Sequence, residues 1–93
     1  MTIVYSRNPD VVFRKIADEF ILVPIRQKVV DLKSVFTMNE AAAFIWEEID
    51  GIQSVAMIKD KVTQAFEVET PQAEADVSEI ISQLEALSLI QKA

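Results

Sequence analysis

The sequence predicts an α+β fold, an N-terminal three-stranded antiparallel sheet followed by three helices. Three observations predict it. Runs of β-branched and aromatic residues fill the first third of the chain. Apolar residues at helical spacing fill the remainder. The single glycine, Gly51, stands where the first helix would need a left-handed stop.

Taken in order, Val11-Val12-Phe13-Arg14-Lys15-Ile16 is the first strand, bounded by Pro9-Asp10 and by Ala17-Asp18-Glu19. Phe20-Ile21-Leu22-Val23 has no polar interruption, as expected of a strand central in its sheet or covered on both faces. The short link between them makes an antiparallel hairpin, although its turn lacks an Asn-Gly pair. Pro24 has no amide to give to a ladder, so regular pairing weakens there. Arg26 to Lys33 mixes Val29, Val30 and Leu32 with charged residues and reads as an extended connection with room for a short strand. Ser34-Val35-Phe36-Thr37-Met38 is the third main strand, with Phe36 and Met38 on the core face.

Asn39 follows as a helix cap, because its side-chain oxygen can accept from a free first-turn amide. Ala42, Ile45, Trp46 and Ile49 then share one helical face, and their stripe explains the only tryptophan as core. Phe44 lies opposite, beside Glu40 and Glu47. It implies either a helix covered on two sides or a partner surface. Ser54 caps a second helix with the stripe Val55, Ile58, Val62, Ala65 and Phe66. Thr70-Pro71 opens a third, with Thr70 as cap and the stripe Ala73, Val77, Ile80, Ile81, Leu84 and Leu87. Glu74, Glu79 and Glu85 lie off that stripe and are expected to be solvated, while Leu89 and Ile90 fold back onto the core. The order of elements is winged helix-turn-helix-like.

Composition narrows the function classes. At 93 residues, 51% hydrophobic and 26% charged, residues 1–93 read as one folded domain. No apolar run is long enough for a transmembrane helix, and Met1 to Pro9 lacks a signal-peptide core, so no membrane partner and a cytoplasmic location are expected. The chain has no cysteine and no histidine. The commonest general base, the best nucleophile and the usual zinc ligands are therefore missing, and the chain reads as a binding module without cofactor or metal, not an enzyme. The carboxylates of Glu40, Glu47, Glu48 and Asp50 are scattered by helical spacing and read as a solvated face. A net charge of −6, with no Lys or Arg from Pro71 to Leu89, argues against nucleic acid as partner.

Met38-Asn39-Glu40-Ala41-Ala42, followed by Ile45-Trp46 and Ile49-Asp50-Gly51, resembles the signature of the PqqD family, coenzyme PQQ synthesis protein D and its relatives. Asn8-Pro9-Asp10-Val11-Val12 resembles the family's opening strand. Glu74-Ala75-Asp76-Val77, with Leu84, Leu87, Leu89 and Ile90, resembles its last helix and closing apolar pair. Three departures stand out: Met38 replaces the usual Leu, Ser88 stands where many members have Gly, and Pro24 to Ser34 is longer than the usual hairpin turn.

The resemblance implies a peptide chaperone. Such a protein binds the leader of a ribosomally made precursor peptide and presents it to a modifying enzyme, often a radical SAM enzyme. A three-stranded meander leaves its outer strands as open edges to which a peptide can add. The resemblance selects the third strand, Ser34, Val35, Phe36, Thr37 and Met38, with Val77, Ile80, Ile81 and Leu84 of the last helix as the opposite wall and Asp76 at the rim. Two alternatives remain on the residues alone: a winged-helix nucleic-acid binder, and a dimerisation module that pairs its open edge with a second copy.

Overall fold

The computed structural model describes residues 2–26, 29–30 and 35–93. Its elements run β1 (Tyr5–Arg7), β2 (Val11–Ile16), β3 (Glu19–Arg26), β4 (Val29–Val30), β5 (Phe36–Met38), α1 (Glu40–Glu48), α2 (Val55–Phe66), α3 (Thr70–Ala86) and β6 (Ile90–Lys92). The expected sheet and the three helices are all present.

β3 is the central strand. It pairs antiparallel with β2 from Ile16↔Glu19 to Val11↔Pro24, with β5 at Phe20↔Met38 to Leu22↔Phe36, and with β4 at Ile25↔Val30 and Arg26↔Val29. Pro24 explains why the third position is held in two pieces. Beside it, the amide of Ile25 donates to the Asp10 carbonyl at 2.7 Å, so odd-numbered residues of β3 turn their polar groups toward β2. Pro24 therefore faces the β4–β5 side, where its missing amide interrupts the ladder while the pairing with β2 continues. The β2–β3 turn is only two residues long, and Ala17 carries it at φ 55° where Asn or Gly would be the usual choice.

One face of the sheet is covered by the helices. Leu22 and Met38 are buried there, with Val11, Phe13, Phe20 and Phe36 packed at the margin. Ala42, Ile45, Trp46 and Ile49 are buried as their spacing predicts, and so are Val55, Ile58 and Val62 of α2 and Ala73, Val77, Ile81 and Leu84 of α3. Ala65, Ile80 and Leu87 depart from the predicted stripes: Ala65 is exposed, Ile80 half-buried and Leu87 46% exposed at the C-cap of α3.

Helix ends differ from expectation in three places. α1 stops at Glu48, because Ile49 leaves the helix in extended conformation to be buried, and its amide bonds back to the Ile45 and Trp46 carbonyls. Gly51, at φ +80°, is in the expected left-handed region but serves the next turn, where its amide donates to the Tyr5 carbonyl at 3.0 Å. The cap of α3 is Glu69, one residue before Thr70. It makes no side-chain hydrogen bond, and Pro71 still sits in the first turn where no intrahelical amide bond is lost. Ser88 takes the left-handed position at φ 59° that glycine would favour, and Leu89 donates to the Leu84 carbonyl at 2.9 Å to close the helix.

β1 and β6 have no counterpart in the sequence reading. They pair antiparallel, Tyr5↔Lys92 to Arg7↔Ile90, and bring buried Leu89 and Ile90 onto the core, as expected of that apolar pair. The Asp50 to Gln53 turn joins α1 to α2. Asp50 Oδ1 accepts from the amides of Ile52 at 2.9 Å and Gln53 at 2.8 Å. Buried Gln53 donates through Nε2 to the Glu48 carbonyl, Glu48 Oε2 and Asp50 Oδ2. The backbone amides of Gln53 and Ile52 hold the Asp50 carboxyl down to about 2.

Two outcomes follow from these turns. Ser88→Gly removes the left-handed penalty and is expected to raise unfolding stability by about 1 kcal/mol, read from the midpoint of urea denaturation. The stability that Asp50 contributes is present above the ordinary carboxylate value of about 3.9. It is lost as pH falls through about 2, since the folded-state value is depressed. Asp50→Ala is therefore expected to lose stability less steeply than the parent chain across that window, which denaturation at stepped pH measures.

Candidate peptide-binding cleft

The outer edge of β5 follows from the same alternation that explains Pro24. If odd residues of β3 face β2, then Phe20 and Leu22 turn their amides and carbonyls toward β5. Their register partners Met38 and Phe36 bond inward, which leaves the amide and carbonyl of Thr37 pointing away from the sheet. The Thr37 side chain is exposed while Met38 is buried, so alternation in side chains and in backbone groups agrees. Among the described residues no strand pairs with that edge.

A cleft of about 320 Å³ opens between this edge and α3. Phe36, Thr37 and Met38 form the strand side. Asn39, Ala41, Ala42 and Ile45 form the end near α1, and Asp76, Glu79, Ile80 and Gln83 form the α3 wall. Asn39 is fixed because its Oδ1 accepts from the Ala42 amide at 2.9 Å, so the strand-to-helix corner is held by a cap. Asp76 Oδ1 accepts from Gln72 Nε2 at 2.9 Å, and Glu79 Oε1 from Gln83 Nε2 at 3.4 Å. Each bond joins residues one turn apart on α3 and steadies the carboxylate. Among the described residues neither carboxylate has a cationic partner.

The structure brings together Phe36, Thr37, Met38, Asp76 and Ile80 of the residues singled out from sequence. Ser34 lies outside the described residues, and half-buried Val35 precedes β5 without lining the cleft. Val77, Ile81 and Leu84 are buried in the core and stand behind the wall without forming its surface. Ile80 is the apolar residue of α3 that faces the cleft. It stands at the margin of the stripe, half-buried, while Ile81 beside it is buried. Asn39, Ala41, Glu79 and Gln83 were not singled out. Glu79 and Gln83 follow Asp76 at i+3 and i+7, so the helical spacing that marked Asp76 could have found them.

A model of the family described as coenzyme PQQ synthesis protein D matches residues 19–90. The chain belongs to the PqqD family. Among solved structures it is similar to TbiB1 in complex with the TbiA(β) leader peptide, with a TM-score of 0.73 and 20% identity over 92% of this chain and 94% of that one. At that identity the likeness is one of fold. No curated protein matches the chain. Among the described residues no helix is long and apolar enough to cross a membrane.

The different placements of Ile80 and Leu84 can be told apart by truncation. Leu84→Ala, at a fully buried position, is expected to destabilise by about 2–5 kcal/mol. Ile80→Ala removes a side chain that already meets solvent and is expected to stay below about 1.5 kcal/mol. Chemical denaturation of the two variants checks the assignment of core and surface.

Proposed function

We propose that this PqqD-family chain binds the leader of a ribosomally made precursor peptide as an added strand on β5, and presents it to a modifying enzyme of the radical SAM class. The observation that carries this reading is the outward pair of backbone groups on Thr37, set across an open cleft from Ile80 and the carboxylates of Asp76 and Glu79. A peptide there would exchange hydrogen bonds with Thr37 and, two residues back along the chain, with the backbone at Val35. Its side chains would alternate between solvent and the α3 wall. Each main-chain bond contributes only about 1 kcal/mol net, and β5 is short, so much of the affinity must come from the wall. Ile80 supplies apolar surface, and the acidic rim favours a leader with a basic residue facing α3. Val77, Ile81 and Leu84 act from behind by holding α3 at its distance. In this reading the chain is a recognition protein, and the chemistry is the partner enzyme's.

The test is an NMR titration with the leader recovered by affinity capture from the source cell. Amides from Val35 to Met38 and from Asp76 to Gln83 are expected to shift together. Thr37→Pro deletes the outward amide without touching the β3 ladder, as proline can at a strand edge, and is expected to weaken binding by about tenfold or more. Shifts confined to β2, or unchanged affinity in Thr37→Pro, would refute strand addition at β5. A concentration-dependent dimer that covers Thr37 would replace the leader with a second copy.

A further inference from the structure

α1 has a second face that its core stripe does not use. Glu40, Phe44 and Glu47 stand at i, i+4 and i+7, opposite Trp46. Phe44 is half-buried, and its ring meets Phe66 of α2 edge-on at 5.4 Å and 88°. With Phe20 and Ala43 these two rings line a cleft of about 290 Å³, and Glu40 and Glu47 flank it. Among the described residues neither carboxylate has an ion-pair or side-chain hydrogen-bond partner. Phe20, one of the lining rings, already has a cation beside it from outside the cleft: Lys15 Nζ lies 5.5 Å from its centroid.

We propose that this cleft is a second docking site, which takes a lysine or arginine side chain of the peptide partner. The alkyl stem would lie on the Phe44 and Phe66 rings and the cationic head between Glu40 and Glu47. Charge decides the choice: the walls are apolar and aromatic and the rim is anionic, so a neutral side chain would leave the rim unpaired and an acidic one would be repelled by it. Position links it to the β5 cleft. Asn39 belongs to the first cleft and the adjacent Glu40 to the second, so the two lie on either side of the start of α1. A chain leaving the β5 edge past Asn39 would cross one helix width, about 10 Å, which three extended residues span. The site rests on the reading of the chain as a peptide binder and adds a requirement to it, a basic residue a few positions beyond the added strand.

The test uses the full chain and two capped dipeptides, N-acetyl-leucyl-arginine amide and N-acetyl-leucyl-glutamate amide, in heteronuclear NMR titrations. The arginine probe is expected to shift the amides of Phe20, Phe44, Glu47 and Phe66 saturably, and the glutamate probe is not. Glu40→Gln combined with Glu47→Gln keeps size and helix propensity and is expected to weaken the arginine probe about fivefold. Phe44→Leu keeps an apolar wall without the ring and is expected to weaken it as well, with the rest of the spectrum reporting that both variants fold. Thr37→Pro should leave this titration unchanged, so the site is read independently of strand addition. No saturable shift in these amides, an equal response to both probes, or full affinity in the glutamine variant would overturn the proposal. Leader affinity left unchanged by Thr37→Pro, with the arginine response intact, would instead count against the β5 reading alone.

Discussion

The pairing of β5 with β3 is the constraint on which the cleft depends. Phe20↔Met38 and Leu22↔Phe36 bond edge to edge, and Leu22 and Met38 are buried on the face beneath. A slip of one residue would bring Thr37 into the core and expose Met38, at about 2 kcal/mol for that apolar side chain alone. Burial therefore holds the register, and the direction of the Thr37 backbone groups follows with no further interaction required. Asn39 completes the arrangement, because its cap on Ala42 starts α1 immediately where the strand ends. The edge, the end of the cleft and the first turn of α1 are thus a single rigid corner.

Much of this corner could be read from the chain. Alternation placed Phe36 and Met38 inward, and Asn39 followed by the Ala42, Ile45, Trp46, Ile49 stripe placed the helix. The limits of β2 were equally legible, since Pro9-Asp10 and Ala17-Asp18 punctuate both ends. β1 and β6 were not, because each is a three-residue strand that exists only through the other. Nothing local in Tyr5-Ser6-Arg7 announces a partner at the far end of the chain. The cleft was half legible. Helical periodicity groups Val77, Ile80, Ile81 and Leu84 together without saying which lies at the margin of the stripe. Only the packing of α3 against α1 and α2 separates Ile80 from the rest.

α1 serves two surfaces at once. Its inner face is spent on Trp46, whose ring is buried and carries Arg7 of β1 at 5.7 Å, so the tryptophan is a structural anchor. Its outer face holds Phe44 against Phe66 and so ties the end of α2 to the start of the helical layer. The sequence reading left Phe44 between a second covered side and a partner surface. Its edge-on contact with Phe66 and its half-burial show the second covered side, and the partner surface is the docking site proposed at the open cleft beside it.

The pairing of the two ends of the chain has a mechanical consequence. Tyr5 lies opposite Lys92 and Arg7 opposite Ile90, and the amide of Ala93 donates to the Val4 carbonyl at 2.9 Å. Both ends thus leave the fold at one point, running side by side. Tension applied through them would first meet the bond from the Val55 amide to the Ile3 carbonyl at 2.8 Å and the Val4–Ser54 bridge. It would then meet the β1–β6 bonds one after another, as a zipper is opened. The ladder of β2, β3 and β5 shares no bond with that zipper in the described register. A tether pulling on both ends would peel the terminal strands first, while the corner at Met38 and Asn39 stayed unloaded.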